Sequence, residues 1–152
     1  MSEVFAWLGT AYLVAFAWPL ARTDIREHRL PNKYTLPLVP IALIGQLAAC
    51  FAGEDWSRLA VALGWGVAAF AIGLGVNRMG ALGMGDVKLI TGMSLSLGWF
   101  TPVAPLVALG AAFALATIVV LFLFVTRKAR MGSSIPLGPY LLVGFVIALG
   151  AS

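Results

Sequence analysis

Six apolar runs, five of them free of any charged side chain, dominate this chain and limit what it can fold into. They cover Val4–Ala21, Leu36–Ala52, Leu59–Val76, Val87–Phe100, Val103–Val125 and Ile135–Ala151. The apolar residues are continuous rather than alternating, and runs of about 18 such residues read as transmembrane helices. Only 11% of the residues are charged, against about a quarter in an ordinary soluble domain. The expected fold is an all-α integral membrane protein of six transmembrane helices, forming one domain over residues 1–152. No internal repeat, low-complexity segment or domain boundary interrupts it.

The net charge of +4 is explained by topology rather than by an anionic partner such as nucleic acid. Arg22, Arg26, Arg29 and Lys33 follow the first run, Arg78 and Lys88 flank the glycine-rich stretch before the fourth, and Arg127, Lys128 and Arg130 precede the sixth. Arg58 alone falls between the second and third. With the N-terminus outside, nine of the ten basic residues are cytoplasmic, as positive residues prefer. The first run lacks a basic leader and is too long for a secretory signal peptide. Cys50 and His28 are the only residues of their types, so neither a cysteine-based zinc site nor a histidine cluster is expected, and no metal or other cofactor.

Local signals refine the helix ends. Trp7 and Trp18 suit the two interfaces of the first helix, and Pro19 is a site where it would bend. Pro31-Asn32 reads as a turn, and Pro37 with Pro40 predicts an irregular start to the second helix. Ser57 is a candidate cap for the third helix, whose Gly64, Gly66, Gly73 and Gly75 suit close helix packing. Thr101-Pro102 reads as the start of the fifth. The fourth is short, roughly 22 Å at 1.5 Å per residue, which predicts that Asp86 sits slightly recessed from the membrane face.

Carboxylates are scarce, and this makes their positions informative. Glu3, Glu54 and Asp55 fall outside; Asp24, Glu27 and Asp86 fall on the cytoplasmic side, with Asp24 and Asp86 nearest the apolar helix ends. Two aspartates from different helices at one membrane depth can share a proton, because like charges a few ångströms apart do not both ionise cheaply. The ionised member then activates water while its protonated partner polarises a carbonyl. Gly83 and Gly85 allow unusual backbone angles and close approach, Asp86 gains from the first-turn dipole of its helix, and Lys88 reaches lipid headgroups or the site.

The stretch Gly83-Met-Gly-Asp-Val-Lys-Leu89, with Asp24-Ile-Arg-Glu-His-Arg-Leu-Pro-Asn32 upstream, resembles the type IV prepilin peptidases, which are GxGD aspartic proteases of the membrane. Ile135-Pro-Leu-Gly-Pro-Tyr-Leu141 is similar to that family's Pro-Phe-Gly-Pro entrance to the last helix, with Leu137 in place of the usual Phe. The resemblance implies a GxGD-protease-like helical bundle with Asp24 and Asp86 as catalytic residues. It implies support from Gly83, Gly85, Lys88, Arg26, Pro31, Asn32, Pro136, Gly138 and Pro139, with Glu27 a candidate for reading a basic leader. The implied partners are prepilins and pseudopilins in a bacterial inner membrane, cut at the cytoplasmic face between a basic leader and an apolar helix. Larger members carry a cysteine-paired cytoplasmic region and also methylate their product. This chain resembles instead the short, cleavage-only TadV/CpaA-type branch associated with tight-adherence (Flp/Tad) pili.

Two other readings stand beside it. In one, the aspartates only cap helices or pair with Arg26 and Lys88. In the other, the acids mark the proton path of a small coupled transporter. Inverted halves would put corresponding acids on opposite faces, whereas Asp24 and Asp86 are expected on the same one.

Overall fold

The structure is a computed structural model that describes residues 3–27, 29–126 and 136–151. His28, the basic loop 127–134 and Ile135, where the last helix was expected to begin, lie outside the described residues. Among the described residues seven helices follow one another: α1 (Glu3–Glu27), α2 (Asn32–Thr35), α3 (Leu38–Phe51), α4 (Trp56–Arg78), α5 (Met84–Gly98), α6 (Ala104–Val125) and α7 (Gly138–Ala151). Each expected apolar run coincides with one helix other than the four-residue α2. The stretches Glu3–Glu27, Asn32–Phe51, Trp56–Arg78 and Ala104–Val125 are long and apolar enough to cross a membrane, while α5 and α7 are shorter.

The helix ends depart from the sequence expectation in instructive ways. α1 continues to Glu27 and carries Pro19 inside it, so Asp24 stays on a helical turn beyond the apolar run. Pro31 is extended, and Asn32 opens α2 rather than completing a turn. The break falls at Leu36-Pro37, where proline cannot donate its missing N–H. Asp55, not Ser57, caps α4: its carboxylate accepts from the Ser57 backbone N–H at 2.9 Å and from the Ser57 hydroxyl at 2.7 Å. Thr101 Oγ1 accepts from the Ala104 N–H at 3.2 Å, but α6 starts at Ala104, later than Pro102, and its cap is Val103.

α5 is the hub. α1 packs on α3, α4 on α5 and α6 on α7, and α5 touches every other helix. From Gly92 to Trp99 no residue of α5 or its C-terminal cap is exposed. A stretch of helix buried all round belongs at the centre of a bundle, and the small residues of α5, Gly92, Ser94, Ser96 and Gly98, admit its neighbours. Because α5 is short, its last carbonyls end inside the bundle, where an unmet hydrogen bond is costly. The fully buried Gln46 of α3 donates its amide to the Leu95 carbonyl at 2.9 Å. At the opposite end from Asp24, Arg58 joins Glu3 at 3.1 Å and Glu54 at 3.4 Å.

Only half of the α4 glycines serve packing. A Cβ on Gly73 would sit 3.0 Å from a Val87 methyl, and one on Gly66 would touch Leu95 at 3.4 Å. Gly64 and Gly75 face open space. Gly73→Leu is therefore expected to cost about 1–3 kcal/mol through overpacking, and Gly64→Leu close to nothing. Thermal unfolding of the two variants in detergent micelles checks this.

Candidate active site

Three helix ends converge at one end of the bundle. They are the last turn of α1 with Asp24, the first turn of α5 with Asp86, and the start of α7 at Gly138. Each carboxylate is held by a backbone N–H at the start of a helix.

Asp24 is only 4% exposed. Its Oδ2 accepts the Gly138 N–H at 2.8 Å, one of the donors that a helix start leaves without an internal partner. Asp24 thus caps α7 across the fold. An anion at the C-terminal end of its own helix is disfavoured, and the α7 terminus offsets that. Gly138 has no room for a side chain: a Cβ would lie 2.7 Å from Asp24 Oδ2 and 3.2 Å from a Leu30 methyl.

Asp86 is at the third position of α5, just before the apolar run that begins at Val87, and Gly83 is the helix cap. The Gly83 N–H donates back to the Asp86 carboxylate, the return half of a capping box. A Cβ on Gly83 would stand 2.9 Å from Asp86 Oδ2. Asp86 Oδ1 is buried with no hydrogen-bond partner among the described residues. Burial first, then the Asp24 charge, push the Asp86 carboxyl up to about 6, against the lowering effect of the Gly83 N–H. The two carboxyl groups are therefore electrostatically coupled.

Both aspartates line a cavity of about 780 Å³ that runs along α4, α5 and α6. Gly83, Pro136 and Leu137 line it at the carboxylate end.

The other predicted residues divide. Gly85 packs against α2's approach rather than against the cavity: a Cβ there would meet Leu30 Cβ at 2.8 Å. The expectation of unusual backbone angles is corrected for Gly83, whose φ of −71° and ψ of 146° suit any residue; among the described residues the left-handed glycines are Gly53 and Gly80. Both motif glycines are required by space. Lys88 turns away from the carboxylates and donates to Asn32 Oδ1 at 2.8 Å, tying α5 to α2. It lines a second, apolar cavity of about 450 Å³ between α3 and α4. Pro31 precedes α2, Pro139 lies in the first turn of α7, and Arg26 and Glu27 are exposed at the end of α1.

Sequence reasoning missed Leu30 and Asn77. Leu30 is buried and wedged between Gly85 and Gly138; a lone leucine in a polar segment was the available signal. Asn77 donates to the Leu82 carbonyl at 2.6 Å and steadies the glycine-rich loop, a role that nothing in its sequence setting announces.

With this geometry in hand, comparison with known proteins is decisive. Residues 11–147 match the type IV leader peptidase family. The chain belongs to that family. It is 31% identical, over 95% of its length, to a prepilin leader peptidase/N-methyltransferase of Pseudomonas aeruginosa. It spans about half the length of that relative, 50%. No solved structure matches it.

The capping role separates two variants of one residue in this family member. Asp24→Asn keeps an oxygen for the Gly138 N–H, whereas Asp24→Ala removes it and should cost about 1 kcal/mol more, measurable by thermal unfolding. Titration gives a further expectation. Asp86 ionises with a midpoint near 6, and in Asp24→Asn the midpoint falls as the neighbouring charge is lost. Because the folded carboxyl holds its proton more tightly than the unfolded one, stability declines as pH rises from the ordinary aspartate range to about 6, and Asp86→Asn abolishes that decline. Carbon NMR of labelled aspartate and pH-dependent melting read the two effects.

Proposed function

We propose that this protein is a membrane aspartic endopeptidase that removes the basic leader of type IV prepilins of the Flp/Tad class, at the cytoplasmic face of a bacterial inner membrane. The observation that carries the reading is the shared cavity of Asp24 and Asp86, with each carboxylate accepting a backbone N–H and Asp86 Oδ1 without a hydrogen-bond partner among the described residues. Family membership supplies the reaction class; the P. aeruginosa relative's name supplies the substrate class.

In this mechanism the two carboxyl groups hold one proton between them. Asp24, capped by the α7 terminus, is the ionised member and takes a proton from the attacking water. Asp86, whose affinity for a proton is raised, donates a hydrogen bond to the scissile carbonyl as charge develops on its oxygen. A substrate that covers the cavity strips the remaining water from Asp86 and holds its proton more firmly still. Collapse of the tetrahedral intermediate returns the proton to the leaving amine, so the dyad ends as it began. The excess of basic residues at the carboxylate end supports the cytoplasmic assignment. No observation favours the transporter, whose inverted halves would separate the acids.

The test is co-expression with a tight-adherence-type prepilin, scored by the size shift on a gel. Wild type is expected to cut. Asp24→Asn and Asp86→Asn are each expected to lose at least about 1,000-fold in rate, since removing one member of a unit disables the whole. Lys88→Ala, which only loosens α2, is expected to cut more slowly than wild type. Cleavage by either aspartate variant at the wild-type rate would overturn the dyad.

A further inference from the structure

The cavity that holds the carboxylates does not stop at them. Its walls are three helical stripes. On α4 the lining residues Trp65, Ala68, Ala69, Ile72 and Val76 recur at the spacing of one helix face. On α5 Asp86, Ile90 and Ser94 follow at four-residue steps, and on α6 Leu106, Leu109 and Phe113 complete the trough. The α4 stripe spans twelve residues, Trp65 to Val76, roughly 16 Å or three helical turns. α4 and α6 pack chiefly on α5 and α7 respectively, so the trough lies between them. Ile72, Leu106 and Phe113 remain 68%, 56% and 48% exposed along it.

Polarity runs one way along this trough. The carboxylates lie at one end, Ser94 stands part-way along the floor, and the α4 and α6 walls are apolar. The small Ala68 and Ala69 let an incoming helix come close on the α4 side. A free lipid chain would gain nothing from two carboxylates at its polar end. A peptide whose cleavable bond lies at the head of an apolar helix meets both requirements at once.

Resting on the peptidase reading above, we infer that the trough between α4 and α6 receives the first three turns of the prepilin's apolar helix, directly after the scissile bond, entering sideways from the bilayer. The leader then lies outside the trough, beyond the carboxylates. The enzyme thereby measures its cleavage site from the position of a docked helix as well as from the leader sequence.

Ile72 and Val67 provide the test, because both are on α4 and equally exposed, at 68% and 67%, but line different cavities. A photo-crosslinking amino acid is placed at each position in the Asp86→Asn protein, co-expressed with the uncut prepilin. Crosslinks from position 72 to the first three turns of the prepilin helix, and none from position 67, are expected. In the otherwise wild-type protein, Ala68→Trp fills the trough and should slow cleavage by about tenfold or more, whereas Val67→Trp should leave it unchanged. Equal crosslinking at both positions, crosslinking at 67 alone, or none at either while wild type cuts the prepilin, overturns the docking inference and leaves the peptidase reading intact. Full activity of Ala68→Trp overturns it too. Failure of wild type to cut any prepilin overturns the peptidase reading and the docking inference with it.

Discussion

A short helix enclosed by its neighbours leaves the chain little freedom. α5 is buried from Gly92 to its cap, and each surrounding helix has adapted to it. Gly73 and Gly66 of α4 make way for Val87 and Leu95, Leu38 of α3 occupies the space that a side chain on Gly92 would need, and Gln46 meets a carbonyl that the short helix could not satisfy itself. Backbone polar groups inside a bilayer must be paired within the protein, so ending a helix early demands a partner from elsewhere. The start of α5 follows the same logic, with the Asp86 carboxylate accepting the Gly83 N–H.

The carboxylate pair is a product of helix ends as much as of side chains. Aspartate is expensive near the hydrocarbon, and two together more so. Here the cost is offset because α5 and α7 each aim an N-terminal N–H at a carboxylate, and the positive ends of both helix dipoles face the site. The missing side chains of Gly83 and Gly138 are what permit this approach, and Leu30 seals the space between Gly85 and Gly138. Asp86 Oδ1 is buried beside the cavity that both carboxylates line, without a hydrogen-bond partner among the described residues.

Several signals were read correctly in kind and incorrectly in cause. The glycine pair before Asp86 signalled a special backbone, yet Gly83 has ordinary dihedral angles and is glycine for lack of space. Lys88 suits lipid headgroups first and the site second by its sequence position; its bond to Asn32 makes it a joint between two helices. The four glycines of α4 look alike in sequence and divide into two that pack and two that do not. Composition and spacing carry no information about which face of a helix meets a neighbour.

The sequence by itself determined the helical class, because long apolar runs admit few other folds in a bilayer, and it determined which acids were candidates, because so few exist. Motif resemblance pointed to the family and to Asp24 and Asp86 as its working pair. Tertiary structure alone decided that Asp24 caps α7 through Gly138, that Leu30 wedges the site, and that the carboxylates open into a trough between α4 and α6. Each of these depends on contacts between residues far apart in the chain. Local propensity and hydropathy act over a few turns, whereas Asp24 and Gly138 are 114 residues apart and meet only because α5 draws the other helices around itself.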